Sequence, residues 1–394
     1  MIEINVHAAI SPNESNSMSA KPLENVAICT VGELFGGVER HVLGAISGLA
    51  AQGISSLLVL FHDGELAAQA RQQGVEPIIL PNSNPRLIAT SRKLASILEA
   101  QKVRLVHVHG YKAIVFCALA HRHYPFAIVK TEHGLPEAMA GRPMSVLRDR
   151  LYHLMDSIAT RRMLALVCYV TEELQTHYRI EHSGLKGLVI PNGIAAPDRL
   201  QLQRPPELRE DWFNLIIIGR LDSVKGHHVA IDAMAAVASA RELHLHIVGT
   251  GPRESVLRDQ ANSCGIADRV HFLGFRRNIY DYIASSEVLL MPSMHEGLPY
   301  TLLEAMGLDT PIIASNVGGL AEVLQDGVTA LLVPPRDVAA LAQAIARLHA
   351  DAGLRQRLGE NASHLQQTKY SLSAMVGKYL DAYRESISAA ARRA

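Results

Sequence analysis

Short apolar runs alternate with longer segments of helical period along almost the whole chain, and this alternation constrains the fold more than any other feature. The runs are rich in Val, Ile and Leu, which is typical of parallel strands buried on both faces. The first series is NVAICTV, SSLLVLF, VEPIIL, RLVHVH, FAIVKT, LALVCYV and GLVIP. The second series is FNLIIIG, LHLHIVG, RVHFLG, EVLLMPS, TPIIAS and TALLVP. Two series of this kind predict two α/β domains with parallel sheets.

A polar, proline-containing segment over residues 196–212 separates the two series and is typical of a linker. A chain of 394 residues is also too long for one ordinary core. We therefore predict Rossmann-like domains over residues 25–195 and 213–375, which face each other across a cleft. Residues 1–24 show neither the pattern of a signal peptide nor a strand, and we expect a flexible tail.

Charge and cysteine usage exclude several classes of protein. Lys plus Arg and Asp plus Glu are equal at 38 each, which argues against a dedicated nucleic-acid binder. The cysteines form no CxxC pair and indicate a reducing, cytoplasmic setting. They are Cys29, Cys117, Cys168 and Cys264.

The segment MPSMHEGLPYTLLEAMG combines a buried strand, a loop with Glu296 and a helix that starts near Pro299. Backbone N–H groups around Tyr300 and Thr301 form an anion site at such a helix start. Glu304 follows in the second turn. A nucleotide sugar needs these parts, because N–H donors bind a diphosphate and carboxylates accept hydrogen bonds from vicinal hydroxyls.

One further loop follows the first strand of each series. GRLDSVKG carries Arg220 and Lys225, whose charges can neutralise a leaving group just past a strand end. FGGVERHV carries Gly36 and Gly37, which let a backbone approach a ligand closely but also commonly form a simple turn.

In their order along the chain, these motifs resemble those of retaining glycosyltransferases with the GT-B fold, the family 4 or group 1 enzymes with an E-x7-E motif. TEHG with His133, IPNGI with Asn192 and SNVGGLAEVLQDGVTALLVPP extend the resemblance from Asn25 to the C-terminus. It implies donor contacts by Gly36, Gly37, Arg220, Lys225, Tyr300, Thr301 and Glu304. It also implies that Glu296 and His133 lie beside the transferred sugar.

The resemblance further implies a nucleotide diphosphate sugar as donor, with UDP favoured by its frequency in the family, and neither a metal nor another cofactor. It implies a front-face reaction that retains the anomeric configuration. The acceptor is expected to be a glycan or a lipid-linked sugar of a bacterial surface polysaccharide, at the inner face of the membrane. Residues 376–394 are expected to form a helix that crosses back to the first domain.

One departure from the family pattern is Asp309 in GLDTP, where many relatives carry a glycine, and it puts the local turn geometry in doubt. His107 and His109 alternate on one strand and point to the same side, but no third ligand at metal spacing accompanies them. We therefore expect no metal site. His109 either faces an acceptor or is a hydrogen-bonded strand histidine.

Residues 142–162 predict a helix with several arginines and a broad apolar face that includes Leu151, Leu154 and Ile158. Such a helix either docks on anionic lipid or packs with a solvated basic face.

The sequence leaves alternative functions open. A nucleotide-sugar epimerase or a phosphorylase uses a similar cleft, and a catalytically silent relative binds the donor without reaction. A dehydrogenase is disfavoured because Glu254 in VGTGPRES stands where the third glycine of GxGxxG belongs.

Overall fold

The computed structural model of the protein describes residues 23–33, 36–80, 87–134, 143–195, 197–237 and 239–393. Within α-helical segments, the side chains of residues 143–150 and 393 are outside this description. Nearly all of the predicted tail over residues 1–24 lies outside the described residues.

The strands of the described residues form two parallel sheets of seven and six strands. The first sheet contains β1 (Asn25–Thr30), β2 (Ser55–Leu60), β3 (Ile78–Ile79), β4 (Leu105–His109), β5 (Ala127–Glu132), β6 (Leu166–Tyr169) and β7 (Lys186–Val189). The second contains β8 (Phe213–Ile218), β9 (Leu243–Val248), β10 (Val270–Gly274), β11 (Val288–Met291), β12 (Ile312–Ser315) and β13 (Leu331–Val333). Each strand coincides with one of the apolar runs of the sequence, with β5 and β7 extending one residue beyond theirs, and the predicted two-domain α/β fold is confirmed.

Both sheets have a Rossmann-like strand order. The orders are β3-β2-β1-β4-β5-β6-β7 and β10-β9-β8-β11-β12-β13. Winding reverses between β1 and β4 in the first sheet and between β8 and β11 in the second. Ligands of open α/β sheets bind outside the carboxyl ends of the strands at such switch points.

Helices cover both faces of each sheet and connect its strands. In the first half of the described residues they are α1 (Gly37–Ala51), α2 (Glu65–Gln72), α3 (Leu87–Ala100), α4 (Tyr111–Ala120), α5 (Pro143–Met163) and α6 (Glu172–His177). In the second half they are α7 (His227–Ala236), α8 (Glu254–Ser263), α9 (Ile279–Ala284), α10 (Tyr300–Gly307), α11 (Gly318–Val323), α12 (Val338–Ala350), α13 (Ala352–Lys369) and α14 (Leu372–Arg393). No helix of the described residues is both long and apolar enough to cross a membrane.

The chain passes between the two domains twice, and the two passages lie side by side. Ile194 donates its N–H to the carbonyl of Tyr370 at 3.1 Å and accepts the N–H of Leu372 at 2.8 Å. Beyond this point α14 packs against the first sheet, where its Val376 and Tyr379 share a core with residues of α1 and β5. The last helix therefore belongs structurally to the N-terminal half of the molecule.

Asp309 occupies a left-handed backbone position, with φ of 56°. A glycine would adopt this conformation without strain, whereas an aspartate adopts it at some cost. The Asp309 carboxylate forms an ion pair with Arg199 at 2.5 Å. Burial alone would raise the pKa of Asp309, but the hydrogen bonds from Arg199 and Ser363 lower it.

Candidate functional site

The residues singled out from the sequence all lie at or just beyond the carboxyl ends of strands next to the two switch points. Gly36 and Gly37 follow β1, His109 ends β4 and His133 follows β5. In the second domain the loop after β8 carries Arg220 and Lys225, and the loop and helix after β11 carry Glu296, Tyr300, Thr301 and Glu304. Parallel strands of one sheet end at the same edge, so each sheet brings its own set of residues together.

Glu296 is held in place by two side chains of the second domain. Its carboxylate Oε1 accepts a hydrogen bond from Lys225 Nζ at 2.5 Å and another from Ser293 Oγ at 2.8 Å. The residue is only 8% exposed. Since both partners fix the same oxygen, the carboxylate is oriented before any ligand binds.

The backbone of the Glu296 loop rests on the glycine pair at the start of α11. Gly319 donates its N–H to the Glu296 carbonyl at 3.0 Å. A Cβ on Gly319 would lie 2.2 Å from the Gly297 carbonyl oxygen, and one on Gly318 would lie 2.1 Å from that of Glu296. Only glycine permits this close approach of two backbones.

The loop after β8 is organised by Asp222. One carboxylate oxygen accepts the N–H groups of Val224 and Lys225, and the other accepts Arg220 Nε at 2.7 Å. The Arg220 side chain is 66% exposed, whereas the Lys225 side chain is 28% exposed. Lys225 therefore lies deep in the site, and Arg220 lies at its solvent edge.

Glu304 is almost completely buried and is paired with a residue of the other domain. Arg40 Nη2 of α1 lies 2.7 Å from Glu304 Oε1, and Glu304 is 1% exposed. Its Oε2 has no hydrogen-bond partner among the described residues. Burial raises the pKa of Glu304, and the positive charge of Arg40 acts in the opposite direction.

The start of α10 faces Gly36 and Gly37 across the cleft. Pro299 precedes the helix in an extended conformation, and the helix itself begins at Tyr300. The Tyr300 ring lies against the Arg40 guanidinium, 5.7 Å from ring centroid to Cζ. A Cβ on Gly37 would lie 4.0 Å from an atom of that ring, and one on Gly36 would lie 3.7 Å from Glu39 Oε2, so neither glycine is tightly packed.

Buried histidines form the wall of the first domain. His109 Nδ1 and His133 Nε2 are hydrogen bonded at 2.8 Å. The His41 ring lies 4.7 Å from that of His133, centroid to centroid, and its Nδ1 is 2.9 Å from Asn192 Oδ1. His107 is bonded instead to Tyr383 and Thr131, each at 2.7 Å.

The structure adds two observations about these histidines. His109 is fully buried and hydrogen bonded, so it is a strand histidine and does not line the open cleft. Spacing along the chain indicated no third metal ligand, whereas the structure places ring nitrogens of His41, His109 and His133 within 4.8 Å of one another. His41 and His133 come from other elements than His109.

Three residues of the site were not singled out as candidates from the sequence: Arg40, His41 and Ser293. Arg40 and His41 stand in the first turns of α1, and Ser293 lies two residues beyond the end of β11, before Glu296. Their proximity to the motifs was the only available signal. Asn192 was noted within IPNGI, but its bonds to His41 and Leu298 appear only in the structure.

Two Rossmann-like domains that face each other across one cleft, with charged residues at their switch points, define the GT-B class of glycosyltransferase. Two family models match the chain in succession. The model described as Glycosyltransferase Family 4 matches residues 35–196, and the model described as Glycosyl transferases group 1 matches residues 198–365. The chain therefore belongs to the group 1, family 4 glycosyltransferases.

Individual relatives agree with this assignment. The D-inositol 3-phosphate glycosyltransferase of Actinosynnema mirum is 28% identical over 392 residues, which cover 91% of this chain and 87% of that protein. A lipopolysaccharide core biosynthesis glycosyltransferase of Rhizobium meliloti is 32% identical over 190 residues, 48% of this chain and about half (53%) of that protein. The structure of Anabaena HepE in complex with UDP superposes with a TM-score of 0.78 at 21% identity, covering 92% of this chain and 100% of HepE.

Proposed function

We propose that the chain transfers a sugar from a UDP-sugar to a glycan or lipid-linked acceptor, with retention of the anomeric configuration and without a catalytic metal. One observation carries the proposal. Lys225, Glu296 and the start of α10 meet on one wall of the cleft, with an oriented carboxylate beside a cation. This set can bind a diphosphate and a sugar together.

In the proposed complex the diphosphate lies at the start of α10, near Tyr300 and Thr301. The first N–H groups of a helix lack intrahelical partners, and the helix dipole favours an anion there. Lys225 and Arg220 add positive charge from the neighbouring loop, and Gly36 and Gly37 leave room for the phosphates. These charges stabilise the leaving group as its bond to the sugar breaks.

The nucleoside is bound further along the same wall. Glu304 accepts hydrogen bonds from the ribose hydroxyls, which requires that Arg40 leave the carboxylate. Phe275 follows β10 and is 67% exposed, so its ring is available to stack on the base. Arg276 is hydrogen bonded to Tyr282 and Glu207, so it contributes less than Phe275 to binding of the base. Uracil is favoured because HepE was solved with UDP and with UDP-glucose.

Transfer follows a front-face course. The acceptor hydroxyl oxygen attacks the anomeric carbon from the side of the leaving group, the bond to the β-phosphate oxygen breaks, and the hydroxyl proton passes to that phosphate. Glu296 positions the sugar and stabilises charge, and it is not a covalent nucleophile. Its bonds to Lys225 and Ser293 support this role, because they fix one carboxylate oxygen. His133 contacts the sugar from the first domain.

A bacterial surface glycan is the proposed product class. The Rhizobium meliloti relative acts in lipopolysaccharide core biosynthesis, which supports a lipid-linked acceptor. Leu151, Leu154 and Ile158 of α5 are 56%, 58% and 45% exposed, and their spacing places them on one side of the helix. We propose that this stripe and the exposed Arg161 and Arg162 rest on the inner face of an anionic membrane. Of the other predicted arginines, Arg142 and the side chains of Arg148 and Arg150 lie outside the described residues.

Transfer or donor hydrolysis with UDP-sugars, measured in the presence of a chelator, tests the proposal. Lys225→Met and Glu296→Gln are expected to lower kcat by about 10² to 10³-fold, the usual loss when one preorganised stabilising group is removed. Lys186→Met is the matched control, because Lys186 also pairs with a glutamate, Glu385, but on the surface at the amino end of β7. Wild-type rates in Lys225→Met and Glu296→Gln would contradict the proposed donor site.

A further inference from the structure

Three imidazoles from separate elements of the first domain converge at the cleft end of its sheet. His41 belongs to α1, His109 ends β4 and His133 follows β5. One ring nitrogen of each lies within 4.8 Å of the others. His41 and His109 are fully buried, and His133 is partly exposed.

The hydrogen bonds around His41 fix which of its nitrogens carries the proton. Asn192 donates its amide Nδ2 to the Leu298 carbonyl at 2.7 Å, so the amide oxygen is the atom that faces His41. An amide oxygen only accepts hydrogen bonds, and we therefore assign the proton to His41 Nδ1. Nε2 is left with an unprotonated lone pair.

Two other ring nitrogens of the three histidines lack a hydrogen-bond partner. Neither His41 Nε2 nor His109 Nε2 has a hydrogen-bond partner among the described residues. Burial, together with the neighbouring imidazoles, lowers the pKa values of His109 and His133 well below 6.5, and burial lowers that of His41 to about 4. An unprotonated imidazole nitrogen is the form that binds a metal ion.

We propose that His41, His109 and His133 form a binding site for Zn²⁺. Zinc binds histidine nitrogens at about 2.0 to 2.1 Å in tetrahedral geometry, which sets ligand nitrogens roughly 3.4 Å apart. The present 2.8 Å bond between His109 and His133 has to open by roughly half an ångström. Its shared proton moves to the other nitrogen of the ring that carries it, so both imidazoles stay neutral when they bind the metal. The partly exposed His133, which lies just beyond its strand, can make this movement.

Asn192 completes the site as a positioning residue. Histidines that bind metals usually donate their other ring N–H to an oxygen, which fixes the tautomer and the ring orientation. Asn192 Oδ1 already does this for His41, and the bond to Leu298 ties it to the second domain. Three protein ligands leave a fourth position for water or a sugar hydroxyl.

Zinc at this place opposes catalysis. The consequence rests on the proposed function, in which His133 contacts the transferred sugar. A metal that holds His133 competes with that sugar, so Zn²⁺ inhibits transfer and a chelator restores it. Binding of the metal itself does not depend on the proposed function.

Titration of the chelator-treated full chain with Co²⁺, followed by visible absorption, tests the site directly. We expect one Co²⁺ per chain with the strong absorption of a tetrahedral site, displaced by Zn²⁺. His41→Gln and His133→Gln should each weaken binding by at least about tenfold, and Asn192→Ala by about 10 to 100-fold. His364→Gln, which changes an exposed histidine of α13, should bind like the wild type.

Thermal unfolding without metal identifies which variants are folded, and either ligand variant alone suffices for the comparison. Absence of a tetrahedral Co²⁺ spectrum in the wild type, or equal binding in His364→Gln and both ligand variants, would overturn the zinc site. Calorimetry with UDP separates this result from the proposed function. UDP binding without Co²⁺ binding rejects the zinc site alone, and Co²⁺ binding without UDP binding rejects the donor site alone.

Discussion

Glu296 is fixed both through its side chain and through its backbone. Lys225 and Ser293 orient the carboxylate, and the glycine pair of α11 supports the loop from behind. A carboxylate that must contact a transferred sugar has to be placed within fractions of an ångström, because small displacements reduce catalysis strongly. The support of the Glu296 backbone by Gly318 and Gly319 is therefore as important for the site as the hydrogen bonds to the Glu296 carboxylate.

Gly319→Ala tests this support. Its Cβ would lie 2.2 Å from a backbone oxygen, and since backbone cannot rotate away, the Glu296 loop has to shift. We expect a fall in transferase kcat of at least about tenfold and a loss of about 1 to 3 kcal/mol in the free energy of unfolding, as for other overpacked positions. Urea unfolding and rate measurements check both values.

Gly377→Ala provides the control for this substitution. Gly377 lies on the exposed side of α14, and a Cβ there meets no atom within 4 Å. Alanine in a helix interior is more favourable than glycine by about 1 kcal/mol, so this variant should be slightly stabilised and fully active. Equal activity of the two variants would show that the glycine pair does not position Glu296.

Individual residues of the site could be predicted only where a local motif marks them. Glu296, Glu304 and Lys225 stand in segments whose strand, loop and helix can be read from the sequence, and the structure brings each to the cleft. Their partners are set by tertiary packing. Nothing in the spacing of Arg40 and Glu304 along the chain indicates an ion pair between them.

The buried strands were the most predictable elements. A parallel strand covered on both faces gives a continuous apolar run, and every strand of the described residues matches such a run to within one residue. The surroundings of α5 were less predictable. Tyr152 and Asp156 face the protein, and Asp156 pairs with the buried Lys130 at 2.6 Å. Leu151, Leu154 and Ile158 face outward instead.

Vesicle binding tests the proposed role of α5. Wild-type protein is expected to cosediment with vesicles that contain anionic lipid and to be released as salt screens its arginines. Replacement of Leu151, Leu154 and Ile158 together by serine removes the apolar contact and should reduce binding several-fold, because buried apolar area drives insertion at an interface.

Val256→Ser is the control for the α5 variant, since Val256 is a 51% exposed apolar residue of α8 in the other domain. It should not change vesicle binding. If the triple α5 variant bound as tightly as the wild type, the exposed stripe would have no part in membrane contact.

At the scale of the whole molecule, polar contacts close the cleft. Arg40 pairs with Glu304, and Asn192 donates to the Leu298 carbonyl. Glu322 of α11 accepts the N–H groups of Glu172 and Glu173 at the start of α6, at 2.8 and 2.7 Å. The sequence predicted both domains, but such contacts depend on how the domains are placed relative to each other, which no local pattern encodes.

Arg40→Ala is expected to open the cleft of the ligand-free protein. In the closed form it would leave the buried Glu304 carboxylate without its cation, and an unpaired buried charge costs about 3 to 5 kcal/mol. An open form hydrates Glu304 and avoids that cost. Small-angle X-ray scattering should therefore report a larger radius of gyration than for the wild type.

Arg71→Ala serves as the control, because Arg71 pairs with Asp63 and Glu76 within the first domain. Its scattering should match that of the wild type. Identical scattering for Arg40→Ala and the wild type would show that the ion pair does not hold the domains together.

Calorimetric titration of UDP, GDP and ADP into the chelator-treated protein tests the proposed nucleotide-sugar site most directly. The proposed site predicts that UDP binds at micromolar concentrations without metal, that Glu304→Gln and Lys225→Met weaken it at least about tenfold, and that Lys186→Met does not. If none of the three diphosphates bound to the folded wild-type protein, or if all variants bound UDP equally, the cleft would not be the nucleotide-sugar site.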